Sequence, residues 1–205
     1  MSADFIFSIA ILVFSVIVHE VSHGYAAYLQ GDTTAQRAGR LTLNPIPHID
    51  LFGSIILPAF LALTGVPIII GWAKPVPFNP YNLRNHKWGE AIVAVAGPLS
   101  NIALALIFGL GIRFGLFDSF GDGFIYISST IVFINLALAT FNLIPIPPLD
   151  GSKILFSFLP YSAQGMRAFL EKNGFVILIF FVLFLSQFLS PVVIKEFTWI
   201  TGLSV

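Results

Sequence analysis

The chain has 205 residues, of which 57% are hydrophobic and 10% charged, and its mean hydropathy is +0.91. These values exclude an ordinary soluble domain and point to a polytopic membrane protein. Ten basic and ten acidic side chains cancel, so there is no positive excess for a nucleic-acid partner, and the absence of cysteine leaves His, Asp and Glu to hold any metal.

Residues 5–29 form the first of four stretches apolar and long enough to cross a bilayer core of about 30 Å, which takes roughly 20 helical residues. The stretch lacks a basic n-region and carries the best motif of the chain, so it reads as mature sequence rather than a signal peptide. That motif is His19-Glu20-Val21-Ser22-His23. On a helix, residues four apart share a face, so His19 and His23 can grip one zinc ion while Glu20 reaches the attacking water. His19 lies about ten residues before the helix end, which puts it roughly 15 Å below the surface at 1.5 Å per residue. Three polarisable groups at that depth in lipid default to a functional reading; the bland alternative is interhelical hydrogen bonding.

The next connection, residues 30–50, contains Arg40-Leu41-Thr42-Leu43-Asn44, where polar and apolar residues alternate before Pro45 and Pro47. This pattern reads either as a short membrane-surface strand with an open edge for an extended peptide or as an ordinary interfacial loop. His48 could add a metal ligand, gate substrate or hydrogen-bond within the loop, and the loop reading is favoured because three protein ligands already suffice for a catalytic zinc. Residues 51–70 are apolar but contain Pro58, Gly65 and Pro67, which fit a broken or re-entrant segment better than a straight span. The polar connection 71–87 carries His86, expected to be solvated. Both polar connections are shorter than the roughly 50 residues of an independent domain, so a single transmembrane domain, 1–205, is expected.

Residues 89–116 form the second long stretch. Asn101 shares a face there with Ala94, Gly97 and Ala105, where close helix packing and an interhelical bond are the ordinary reading, with substrate docking as a secondary role. Residues 124–144 and 175–197 complete the set. At the end of the third stretch, Asn142-Leu143-Ile144-Pro145-Ile146-Pro147-Pro148-Leu149-Asp150-Gly151 forbids a continuous helix, and unwound backbone at membrane depth must face protein or a water-filled cavity. Asp150 then either points at that cavity as a third metal ligand or caps the helix that Gly151 begins. Asn142 either bonds neighbouring carbonyls or donates to an oxyanion.

Parity constrains the topology. Asp150 lies on the same side as the His19 end only if residues 51–70 turn back. That arrangement also gathers eight of the ten basic residues on one face, which the positive-inside rule makes cytoplasmic.

The two motifs together resemble the site-2 protease family of intramembrane zinc metalloproteases, in which an HExxH helix and an NxxPxPxLDG segment build the active site. Both are matched without substitution, and Gly97-Pro98-Leu99-Ser100-Asn101 is similar to the family's glycine-proline element. The resemblance spans residues 19–151. It implies an all-α, polytopic transmembrane helical bundle in which His19, His23 and Asp150 ligate one zinc, Glu20 is general base and acid, and Asn142 helps bind the oxyanion. The connections resemble a minimal subgroup without PDZ or CBS domains. The implied partners are a transmembrane protein substrate and the lipid bilayer, in the cell membrane, with the site opening to the cytoplasm. The rival reading is a non-catalytic metal-binding membrane protein, a transporter or transmembrane-helix binder, which would have no need of Glu20; a purely structural membrane subunit would hold no zinc.

Overall fold

In hydrocarbon every unpaired backbone N–H or C=O is expensive, so a long apolar run satisfies its own backbone as a helix. The computed structural model follows this rule. It describes residues 3–56, 60, 64 and 73–204. Its helices are α1 (Ala3–Leu29), α2 (Thr34–Arg37), α3 (Gly89–Arg113), α4 (Asp122–Asn142), α5 (Asp150–Phe158), α6 (Gln164–Phe184) and α7 (Leu189–Thr201), with single helical turns between them. Among the described residues there is no β-strand, and three helices, α1, α3 and α4, are each long and apolar enough to cross a membrane.

Helix α3 is the centre of the bundle, packing against α1, α4, α5 and α7. Its buried Ala94, Gly97, Asn101, Ala105 and Gly109 recur every three or four residues, a small-residue face that lets neighbouring backbones approach. A Cβ added at Gly109 would collide with Ile200 of α7. Val132, Leu136, Val193, Phe197 and Ile200 close around Ala105 to form the larger apolar core. Large side chains such as Phe7, Phe14, Ile107, Phe175 and Phe180 remain exposed on the outside, where the expected solvent is lipid.

One expectation changes and one open choice closes. The fourth apolar stretch, 175–197, is not one straight span: the helices on either side of Leu185 are bent by 61°. Pro191 lies in the first turn of α7, where its missing N–H is tolerated, whereas within a continuous helix it would remove a bond and clash with the carbonyl four residues back. Residues 40–44 do not form a strand. Thr42 and Asn44 use their side chains to take the N–H groups of Asn44 (3.2 Å) and Ile46 (3.1 Å), which bends the chain locally in place of a ladder.

Most of the segment 51–70 lies outside the described residues, and whether it turns back lies there too. Its flanks do not. His48 O accepts from Lys74 N–H at 2.9 Å, Gln30 O accepts from Arg84 N–H at 2.9 Å, and Gln30 Nε2 donates to Gly89 O at 3.2 Å. The chain on both sides of the segment therefore lies beside the C-terminal end of α1.

Candidate metal centre

His19 and His23 stand one turn apart on α1, with ring centroids 4.6 Å apart and planes at 87°. Each ring is held by its outer nitrogen. His23 Nδ1 donates to the backbone carbonyl of Val93 at 2.7 Å, and since a carbonyl can only accept, this nitrogen carries the proton. His19 Nδ1 donates to Asn101 Oδ1 at 2.6 Å. The orientation of Asn101 follows from its other end, where Nδ2 donates to Asn135 Oδ1 at 2.8 Å and Ser15 O at 3.3 Å. His19 and His23 thus both turn Nε2 inward.

Asp150 reaches them because the chain unwinds where the prolines require it. Residues 143–149 pass through tight turns, with a cis peptide between Pro147 and Pro148. Gly151 permits the return: a Cβ there would run into the carbonyl oxygens of Leu143 and Ile144. The carboxylate of Asp150 does not cap α5; its Oδ2 lies 3.1 Å from His19 Nε2 and 3.2 Å from His23 Nε2. The two Nε2 atoms are 3.0 Å apart.

Three buried acceptor atoms so close together, two with their protons on the far side, repel one another unless a positive charge sits among them. Ligands about 2.0–2.2 Å from one tetrahedral zinc lie roughly 3.3–3.5 Å apart, close to the separations here. The residues fit a small divalent cation. Gly97 of α3 makes room for the pair, since a Cβ at that position would strike His23 Nε2 and the ring of His19.

Glu20, next to His19, is half-buried, and its Oε2 accepts from the backbone N–H of Val76 at 2.8 Å. Asn142 donates one amide proton to Leu138 O at 3.0 Å, within its own helix, and the other has no partner among the described residues. His48 is buried in the loop with Nε2 donating to Thr42 O at 2.9 Å, and His86 is exposed.

Sequence reasoning gave Asn101 helix packing and an interhelical bond, and the structure supplies that bond; the partner, His19, was not foreseen. A signal was present, because an amide in the middle of an apolar span needs partners and the polar residues of α1 are the nearest candidates. The contact between Val76 and Glu20 had no comparable signal, as it joins positions 56 apart through a backbone atom.

The family model for peptidase family M50 matches residues 117–186. The chain is 37% identical over 181 residues to the Bacillus subtilis protein named "Putative zinc metalloprotease YwhC", covering 85% of this chain and 78% of that one. Two proteins named "Putative zinc metalloprotease Rip2" are each 31% identical. The one from Mycolicibacterium smegmatis is matched over 85% of this chain and 66% of its own length, and the one from Mycobacterium tuberculosis over 98% and 74%. No solved structure matches. Similarity of this extent, which over 98% of the chain takes in both the helix of His19 and the turn before Asp150, shows that the chain belongs to peptidase family M50, the site-2 protease family.

Proposed function

We propose that this chain is an intramembrane zinc metalloprotease that hydrolyses a peptide bond within or beside a transmembrane segment of a membrane protein. The reading is carried by one observation: His19 Nε2 and His23 Nε2, on a helix apolar enough to cross a bilayer, meet each other and Asp150 Oδ2 from another helix within 3.0–3.2 Å. His19, His23 and Asp150 would hold the metal. Zinc, when bound, polarises water and the scissile carbonyl.

The protein's own groups supply the rest. The protonated Nδ1 atoms of His19 and His23, tied to Asn101 and Val93, hold both rings turned so that Nε2 faces the site. Glu20 takes the proton from the attacking water and then gives it to the departing amide nitrogen as the C–N bond breaks. The second amide proton of Asn142 is free to bond the oxyanion of the tetrahedral intermediate once the substrate is seated. Water reaches the site from the side on which α1 ends, which the charge distribution makes cytoplasmic.

The test uses detergent-solubilised protein and a panel of single-span substrates. Wild type should cleave at least one of them and carry one zinc per chain. Glu20→Gln should keep zinc and lose about 10²–10⁴-fold in turnover, the usual contribution of a general acid–base group. Asp150→Ala should lose both zinc and turnover. Equal turnover by all three proteins would overturn the proposal.

A further inference from the structure

Of the two carboxylate oxygens of Glu20, one is committed and one is open. Oε2 accepts from Val76 N–H, and Oε1 has no hydrogen-bond partner among the described residues. The donor belongs to Pro75-Val76-Pro77. Each proline removes a backbone donor and pushes the residue before it towards an extended conformation. The tripeptide is therefore a stiff strap with a single N–H, and residues 73–79 contain no helix or turn.

Two side chains hold the strap in place. Arg40, 5% exposed, donates through Nη2 to Lys74 O at 2.5 Å and to Pro75 O at 3.4 Å. The Pro75 carbonyl and the Val76 N–H are opposite ends of one planar peptide unit. A guanidinium on its oxygen and a carboxylate on its N–H polarise that unit in the same sense, and each bond strengthens the other. Gly24, one turn beyond Glu20 on α1, provides the space: a Cβ there would lie 2.9 Å from Val76 Cγ1 and 2.6 Å from Leu41 Cδ2. Val76 itself is buried.

We propose that Arg40 and Gly24 are positioning residues for Glu20. Arg40 locks the Pro75–Val76 peptide, Gly24 lets it lie against α1, and the Val76 N–H fixes the carboxylate so that Oε1 alone faces the attacking water. This rests on the reading of Glu20 as the general base. A base must lie within hydrogen-bond reach of the proton it abstracts, and a carboxylate anchored at one oxygen offers the other in one direction.

The anchor can be measured without activity. Pro75 and Pro77 have no amide proton, so deuterium exchange within the tripeptide reports Val76 alone. In metal-free and in zinc-loaded protein, exchange there should be slow in wild type and at least about tenfold faster in Glu20→Ala and in Arg40→Ala, with Arg40→Lys in between. On a cleaved single-span substrate, Arg40→Ala and Gly24→Val should lower kcat by about 10- to 100-fold, with little change in KM and one zinc per chain retained, and Arg40→Lys should restore part of the loss. Unchanged Val76 exchange in Glu20→Ala would show that the anchor does not exist. Unaltered kcat in Arg40→Ala, or loss of zinc and thermal stability in step with activity, would overturn the positioning role while leaving the protease reading intact. A wild-type protein that carries zinc and cleaves nothing in the panel would overturn both.

Discussion

Asn101 is the residue on which the geometry of His19 turns. It is fully buried and makes three hydrogen bonds, to His19, Asn135 and Ser15 O, while Asn135 Nδ2 donates onward to Ser15 Oγ at 2.9 Å. Partners behind a metal-binding histidine are typically worth about 10–100-fold in metal affinity or activity. Asn101→Ala should therefore weaken zinc binding by about that factor, measured by competition with a chelator. Asn101→Asp should lose less, since a carboxylate still accepts from His19 Nδ1. Equal affinity in wild type and Asn101→Ala would remove the orienting role. The pair His19 and His23, with Glu20, was legible in the sequence because a helix repeats its face every four residues. Asn101 was legible only as a buried amide, since nothing local says which helix its side chain meets.

At the scale of elements, the connection after α1 is fastened by one buried carboxylate. Asp32 accepts from Thr34 N (3.1 Å), Thr34 Oγ1 (2.6 Å), Asn79 N (2.6 Å) and Asn82 Nδ2 (2.9 Å), so it ties the start of α2 to the turn ahead of α3. Burial alone would raise its pKa, but the bonds from Asn82, Thr34 and Asn79 outweigh it and hold the carboxyl below the ordinary range. A folded pKa below the unfolded value contributes stability that is complete above the unfolded pKa, about 3.9, and is lost as pH falls through the folded value. Asp32→Asn should thus lower thermal stability at neutral pH by about 1–3 kcal/mol and flatten the loss seen below about pH 4, both read from melting in detergent. A variant whose acid limb matches wild type would refute this. The same scale explains what pattern alone left undecided. Alternation at 40–44 is the signature of a strand, but two side-chain hydrogen bonds within the loop compete with a ladder that has no partner edge. Hydropathy likewise marks 175–197 as one run because it registers no direction, and the bend between α6 and α7 leaves the apolar count unchanged.

At the scale of the whole molecule, helix parity predicts which surfaces share a side. Tyr81, ahead of α3, and Tyr161, beyond α4, should lie on the side where α1 ends, and Phe120, between α3 and α4, on the other; all three are exposed. The native chain has no cysteine, so each can be changed to Cys and labelled singly. An impermeant maleimide should modify positions 81 and 161 from one side of the membrane and position 120 from the opposite side. Labelling of 81 and 161 from different sides would break the topology on which the metal centre depends.

The sequence by itself determined the membrane class, the helices, the shared face of His19 and His23, and the break before Asp150, because hydropathy, helical periodicity and proline chemistry act over a few neighbouring residues. Only the tertiary structure decided that Asp150 arrives within 3.2 Å of both imidazoles, that Asn101 sets the tautomer of His19, and that Val76 anchors Glu20. Each of these contacts joins residues between 56 and 131 positions apart. Such distances close only when helices pack, and packing depends on small residues such as Gly24, Gly97 and Gly151, whose function is the space they leave empty.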